Sequence, residues 1–317
     1  YILGEIYLKG DIIKRDINKA IHYLSLSTKS EANLELGLLY YDGQYISKNT
    51  SKAIHYLNLA AKKNNREAQF ILGRIYFFDE YLKDINKSIF YMTLSANQNY
   101  HAANHFLGLI YYEGKYVPKN INEAIRRFKE ASNMDNQLSK NNLGVIYLNG
   151  IGVKKNVSLA IEYFEDAIRK ENDYFASCNL ARIFYFGIEC KRNIQKAIEL
   201  FTKALYIYPF PTGLYLYWIY KYDENFRNLA LAQKCRNEFL QKFKIDLCSY
   251  YDSKEISEKC FHNLKNFSFE YKIDTKGEEF AQLIDVHLIQ RQNNNKVVPV
   301  FLRNRQNINE LFYQGFD

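Results

Sequence analysis

The chain has 317 residues, and the 47% that are hydrophobic exclude an intrinsically disordered polymer. Its formal net charge is +8, but residues 246–317 hold 9 Lys and Arg against 11 Asp and Glu, so the positive surplus belongs to residues 1–245. No apolar run approaches the roughly 18 residues of a membrane-spanning helix, and neither a phosphate-binding loop nor a zinc-finger spacing is present.

Read from its first residue, the chain repeats itself. A small residue after leucine stands at Gly4, Gly37, Gly73, Gly108, Gly144 and Ala181, at intervals of 33, 36, 35, 36 and 37. Three residues after each comes an aromatic: Tyr7, Tyr40, Tyr76, Tyr111, Tyr147 and Phe184. Farther on, at a spacing of 12 or 13, comes a small residue before isoleucine: Ala20, Ala53, Ser88, Ala124, Ala160 and Ala197. A fixed period of this length is the mark of a repeat array.

Each unit reads as two helices. The first carries apolar residues at helical spacing, as Leu34, Leu38 and Tyr41 do, and ends at Gly10, Gly43, Gly114, Gly150 or Gly187. The third unit has Asp79 there instead. The second helix begins after a capping residue four positions before the small residue: Asp16, Asn49, Asp84, Asn120, Asn156 or Asn193. The recurring small residues predict close helix contacts, with Gly37 facing its partner helix and Tyr40 and Leu57 filling the space beside it.

Six such units fill residues 1–205. Residues 206–245 read as a degenerate seventh repeat or cap: Pro209 and Pro211 mark a turn, and Leu216, Ile219 and Tyr220 keep the register. There Tyr217 occupies the glycine slot, Asn228 the cap offset, and Gln233 the isoleucine position. Residues 246–317 lose the pattern and form a less regular C-terminal region of partly helical character. Helices are expected around 256–267, with Ser253 as cap, and around 280–288, followed by an extended stretch at 297–302.

The candidates for chemistry are few. His101 and His105 share a helix face at i and i+4, but a third metal ligand and an H-E-x-x-H glutamate are missing. They read as one half-buried and one exposed side chain, and no metal, cofactor or catalytic residue is assigned. The five cysteines form no C-x-x-C and do not follow the repeat; Cys178 reads as a small core residue. Their odd number and spacing favour a reducing compartment such as the cytoplasm. Lysines such as Lys14, Lys48, Lys83, Lys119, Lys154 and Lys155 fall in expected loops, so solvation explains the basic charge better than nucleic-acid binding does. Asn49-Thr50-Ser51, Asn156-Val157-Ser158 and Asn266-Phe267-Ser268 match the glycosylation acceptor rule, as chance allows in an asparagine-rich chain.

The run Leu143-Gly144-Val145-Ile146-Tyr147, then Gly150-Ile151-Gly152-Val153, Asn156 and Ala160-Ile161-Glu162-Tyr163-Phe164, closing with Ala167, resembles the Sel-one-like repeat family, a relative of the tetratricopeptide repeats. The resemblance covers about the first 205 residues. It implies an all-α fold, an α-solenoid of antiparallel helix pairs in a right-handed superhelix, that assembles protein complexes rather than performing chemistry. Family members serve membrane-associated degradation complexes, signalling and host–microbe contacts. Some secreted bacterial relatives are stapled by a cysteine pair in every unit, and this sequence departs from them.

The expected function is a scaffold or adaptor with unidentified protein partners. The alternative is a targeting or regulatory arm of a larger enzyme, for example a protein kinase, whose catalytic domain lies upstream. Residue 1 is not methionine and the first helix is short, so the chain is expected to be a segment of a longer protein. By analogy with tetratricopeptide arrays, the first helices line a concave face. The expected partner contacts are then Glu5, Glu35, Arg74, His105 and Arg182.

Overall fold

The structure, a computed structural model, describes residues 1–170, 173–205 and 209–243. The elements expected within 246–317, and the part of the expected turn at 206–208, lie outside the described residues. Among the described residues there are fourteen helices and no strand. They divide into two units.

The first unit spans Tyr1–Asn136. It contains the pairs α1 (Ile2–Lys9) and α2 (Ile17–Ser25), α3 (Ser30–Asp42) and α4 (Thr50–Lys62), α5 (Arg66–Phe78) and α6 (Ile85–Asn97), and α7 (His101–Glu113) and α8 (Ile121–Asn133). Each pair is an antiparallel hairpin, and α3, α5 and α7 each also pack on the second helix of the preceding pair. The second unit begins at Gln137. It contains α9 (Gln137–Asn149) and α10 (Val157–Lys170), α11 (Tyr174–Phe186) and α12 (Ile194–Leu205), and α13 (Pro209–Tyr222) and α14 (Leu229–Phe243), stacked in the same way. The twelve helices expected from the six regular repeats are α1 to α12.

The local signals act as their chemistry dictates. All six expected caps accept a hydrogen bond from the amide three residues on, for example Lys52 N to Asn49 Oδ1 at 2.9 Å and Leu159 N to Asn156 Oδ1 at 3.0 Å. Asn228 does the same for α14, accepting from Leu231 N at 3.1 Å. A second bond recurs beside each cap. The capping residue's own amide donates to the carbonyl of the repeated aromatic, as in Asn49 N to Tyr40 O at 2.8 Å and Asn156 N to Tyr147 O at 2.9 Å. Each inter-helix loop is therefore tied at both sides of one residue.

The turn chemistry comes in two lengths. Where nine residues separate aromatic and cap, the first helix closes on a left-handed glycine, as Gly43 does at φ 67°. No Cβ has to be accommodated there. Tyr76 and Asp84 are one residue closer, and Asp79 replaces the glycine with φ −71°. Its carboxylate accepts from the amides of Tyr81 and Leu82 at 3.0 and 3.1 Å, so a side chain organises the shorter turn.

The helix contacts are close at the repeated small residues. A Cβ built on Gly144 would lie 2.5 Å from Phe164 Cε1, and one on Gly37 would lie 2.7 Å from Leu57 Cγ. The facing side chains Leu24, Leu57, Met92, Phe128, Phe164 and Phe201 are fully buried, as are Ala20, Ala53, Ser88, Ala124, Ala160 and Ala197. Burying each large side chain contributes roughly 1.5–3 kcal/mol. α13 begins on Pro209, with Pro211 in its first turn. Amides of a first turn have no intrahelical acceptor, so two prolines there cost no helix bond.

Candidate partner-binding surface

The most regular surface feature lies on the second helices of the first three repeats. In each, the repeated tyrosine of the first helix stacks on a tyrosine three residues after the small position. Tyr7 and Tyr23 lie 5.7 Å apart between ring centroids, Tyr40 and Tyr56 5.8 Å, and Tyr76 and Tyr91 5.8 Å, all within 7° of parallel. Lys19, Lys52 and Lys87 place their ammonium groups over the first-helix rings at 5.3, 5.1 and 5.4 Å. An exposed ring stands edge-on beside the second tyrosine: His22, His55 and Phe90, at 5.3, 5.2 and 5.3 Å. Phe90 is 57% exposed. Each repeat thus presents the same rung of lysine, two tyrosines and an exposed ring.

The pattern stops at the fourth repeat. There Arg127 takes the second tyrosine's place and donates to Glu123 Oε1 at 2.9 Å, while Arg126 bridges Glu123 and Glu130 at 2.5 Å each. Hydrogen bonds from Arg126, and then Arg127, hold the Glu123 carboxyl below its ordinary range. The two arginines and two glutamates of α8 are thus paired with one another. In the second unit Tyr147 and Tyr163 stack at 5.7 Å, but Leu159 stands at the lysine position.

The residues expected on a concave surface lie elsewhere. Glu35, Arg74, His105 and Arg182 are 7%, 6%, 0% and 1% exposed, so the expectation that they face solvent is corrected; Glu5 is half-buried. α3, α5, α7 and α11 are buried on most sides because each packs both on its own second helix and on the second helix of the preceding pair. Phe77 of α5 meets Phe106 of α7 at 4.9 Å, and α11 packs directly on α9. Several polar side chains of these helices have bonded partners. Asn179 Nδ2 donates to Asn141 Oδ1 at 2.9 Å, Lys140 pairs with Asp166 at 2.7 Å, and Arg182 donates to the Tyr215 phenol. Burial draws the Arg182 guanidinium below its usual range and raises Tyr215 to about 12.

The histidine pair behaves likewise. His105 is fully buried, not exposed, and desolvation depresses its pKa to about 3, with His101 adding to the effect. His101 Nδ1 lies 3.0 Å from Asn136 Nδ2. Among the described residues no group of three His, Cys, Asp or Glu could hold a metal, and no helix is long and apolar enough to cross a membrane. Cys178 is buried beside Thr212, its Sγ 3.4 Å from Oγ1, and desolvation pushes the thiol up to about 12.

The rungs carried a sequence signal that the repeat pattern alone left unused. Lys19, Lys52 and Lys87 each precede the small residue, in Lys-Ala-Ile-His-Tyr, Lys-Ala-Ile-His-Tyr and Lys-Ser-Ile-Phe-Tyr.

The Sel1 repeat model matches residues 1–29, 30–65, 66–100, 101–136, 138–172 and 175–206. Among solved structures, the chain is similar to a protective antigen of uropathogenic Escherichia coli that displays an SLR fold. That match has a TM-score of 0.70 and 20% identity and covers 92% of this chain. The chain spans 64% of that antigen's length. A Sel1 repeat protein from Oxalobacter formigenes matches with a TM-score of 0.64 and 25% identity, covering 75% of this chain and 97% of its own. No curated protein matches the sequence.

Proposed function

Because the chain belongs to the Sel1 repeat family, whose members are generally non-catalytic protein-interaction scaffolds, we propose that it is itself a scaffold or adaptor for protein partners. The observation that carries this reading is the division of labour within each repeat. The packing positions recur and are buried, while the outward positions of the second helices are exposed and carry side chains that the packing does not require. Contact falls to the second helices and loop edges, with Glu5 the one first-helix candidate still reachable. Glu35, Arg74, His105 and Arg182 support the interior instead.

We further propose that residues 206–245 close the array as a degenerate seventh repeat. α13 and α14 pair as the other helices do, and Asn228 N donates to Tyr220 O at 2.7 Å. Asp223 accepts from Asn225 N at 3.2 Å, reusing the aspartate-organised turn of the third repeat.

The test is capture and reconstitution. The chain is immobilised and exposed to extract of its native cells, and each captured protein is then purified and titrated against the chain. A saturable binary complex is the expected result. A chain that binds none of the purified candidates, or that turns over a substrate unaided, overturns the proposal.

A further inference from the structure

We infer that the outward face of α2, α4 and α6 takes an acidic segment of a protein partner, an inference that rests on the scaffold reading and names the partner's chemistry. The three helices carry Lys19, Lys52, Lys62 and Lys87 and not one aspartate or glutamate. The caps Asp16 and Asp84 bring a carboxylate to two of these lysines. Each gives one oxygen to a backbone amide, and the other lies 3.7 Å from Lys19 or 3.3 Å from Lys87. At the middle rung the cap is Asn49, so Lys52 has no carboxylate beside it. With four lysines against the two cap aspartates, the face keeps a surplus of two positive charges, and it lies at the centre, on α4.

Geometry narrows the ligand. The lysines recur at one register in three consecutive repeats, so an extended segment running across the helices meets them in turn. His22, His55 and Phe90 beside them offer exposed rings for apolar side chains interleaved with the acids. Nucleic acid fits less well. Base stacking needs open aromatic faces, whereas the first-helix tyrosines are already engaged by a lysine and a stacked tyrosine, and His22, His55 and Phe90 stand edge-on to a neighbouring ring. On the neighbouring α8 surface, in contrast to Lys52, both arginines already face carboxylates, those of Glu123 and Glu130.

The probe is a fluorescent peptide of alternating glutamate and tyrosine, titrated against the whole chain by anisotropy. Parallel arms use polythymidine of equal charge and phosphatidylserine vesicles. The peptide should bind and weaken as salt rises. Lys19→Glu/Lys52→Glu/Lys87→Glu should lose about tenfold or more in affinity, because like charges replace attracting ones. The loop pair Lys119→Glu/Lys154→Glu should bind as wild type. Should the reversed variant lose its helical circular dichroism, Lys19→Gln/Lys52→Gln/Lys87→Gln carries the test, with a smaller loss expected. Equal binding by wild type and the helix variants overturns the site, and so does tighter binding of polythymidine or vesicles than of peptide. A chain that ignores the peptide yet forms the reconstituted complex keeps its scaffold role and loses this site. A chain that does neither loses both.

Discussion

The amide of Asn49 donates to the carbonyl of Tyr40 at 2.8 Å while its side-chain oxygen accepts from the amide of Lys52 at 2.9 Å. One residue thus ends the loop and starts the helix, and the two bonds can be separated by mutation. Asn49→Ala removes the second and keeps the first, so it should cost about 1 kcal/mol. Asn49→Pro also deletes the donating amide, and its ring disfavours the observed φ of −141°, so it should cost more. Urea midpoints rank the two against Ser47→Ala in the same loop. Equal midpoints for all three would show that the clamp carries no stability.

The approach of Gly144 to Phe164 leaves no room for a side chain. Gly144→Leu should destabilise by on the order of 1–3 kcal/mol, whereas Lys154→Leu, at an exposed loop position, should change little. Denaturant midpoints of the two variants decide it, and similar small effects would mean that the helices part without cost.

Arg182 lies inside the second unit, bonded to Tyr215 and 3.4 Å from Asn179 Oδ1. Arg182→Glu should therefore act on the fold. Removing a buried charge's partners, or inverting the charge, costs on the order of 3–5 kcal/mol. Thermal melting should fall well below that of Lys52→Glu on the surface. An unchanged melting temperature would place Arg182 at solvent.

Acid should loosen the first unit through His105. Its folded pKa of about 3 lies below the 6.5 of an unperturbed histidine, so the unfolded chain takes up the proton first. The stability tied to the neutral imidazole is complete above pH 6.5, declines below it, and is lost fully near pH 3. Between pH 7 and pH 5 the loss should be about 2 kcal/mol. His105→Leu should flatten this part of the stability–pH curve. Parallel curves for wild type and variant would dissociate the slope from His105.

Thiol reactivity should follow burial. Cys178 and Cys235 are buried, with desolvation raising their thiols to about 12 and about 11, while Cys190 is only half-buried. Of these three, native alkylation read by peptide mass spectrometry should label Cys190 first. Early labelling of Cys178 would reveal local opening of α11.

Much of the fold was legible because its signals are local. Asn49 caps whatever follows it, and Gly144 must meet a large neighbour if its register repeats. The site was legible only in part. Arg74, His105 and Arg182 look like surface residues, since such side chains are seldom buried. Their burial depends on neighbours from other repeats, and the satisfying partner of Asn179 is Asn141, one repeat away. The bond from Asn49 N to Tyr40 O was invisible for another reason: backbone donors and acceptors leave no mark on residue identity.

The two turn lengths have a consequence for how such a chain changes over time. Tyr40 to Asn49 and Tyr76 to Asp84 differ by one residue, yet the closing bond is 2.8 Å in both. The joint between the helices therefore absorbs an insertion or deletion without passing the slip on to the helices it connects. Anyone wishing to splice a foreign recognition loop into this scaffold has the chain's own precedent for where to cut. The graft belongs between the residue that closes the first helix, Gly43 or Asp79, and the capping residue that opens the second.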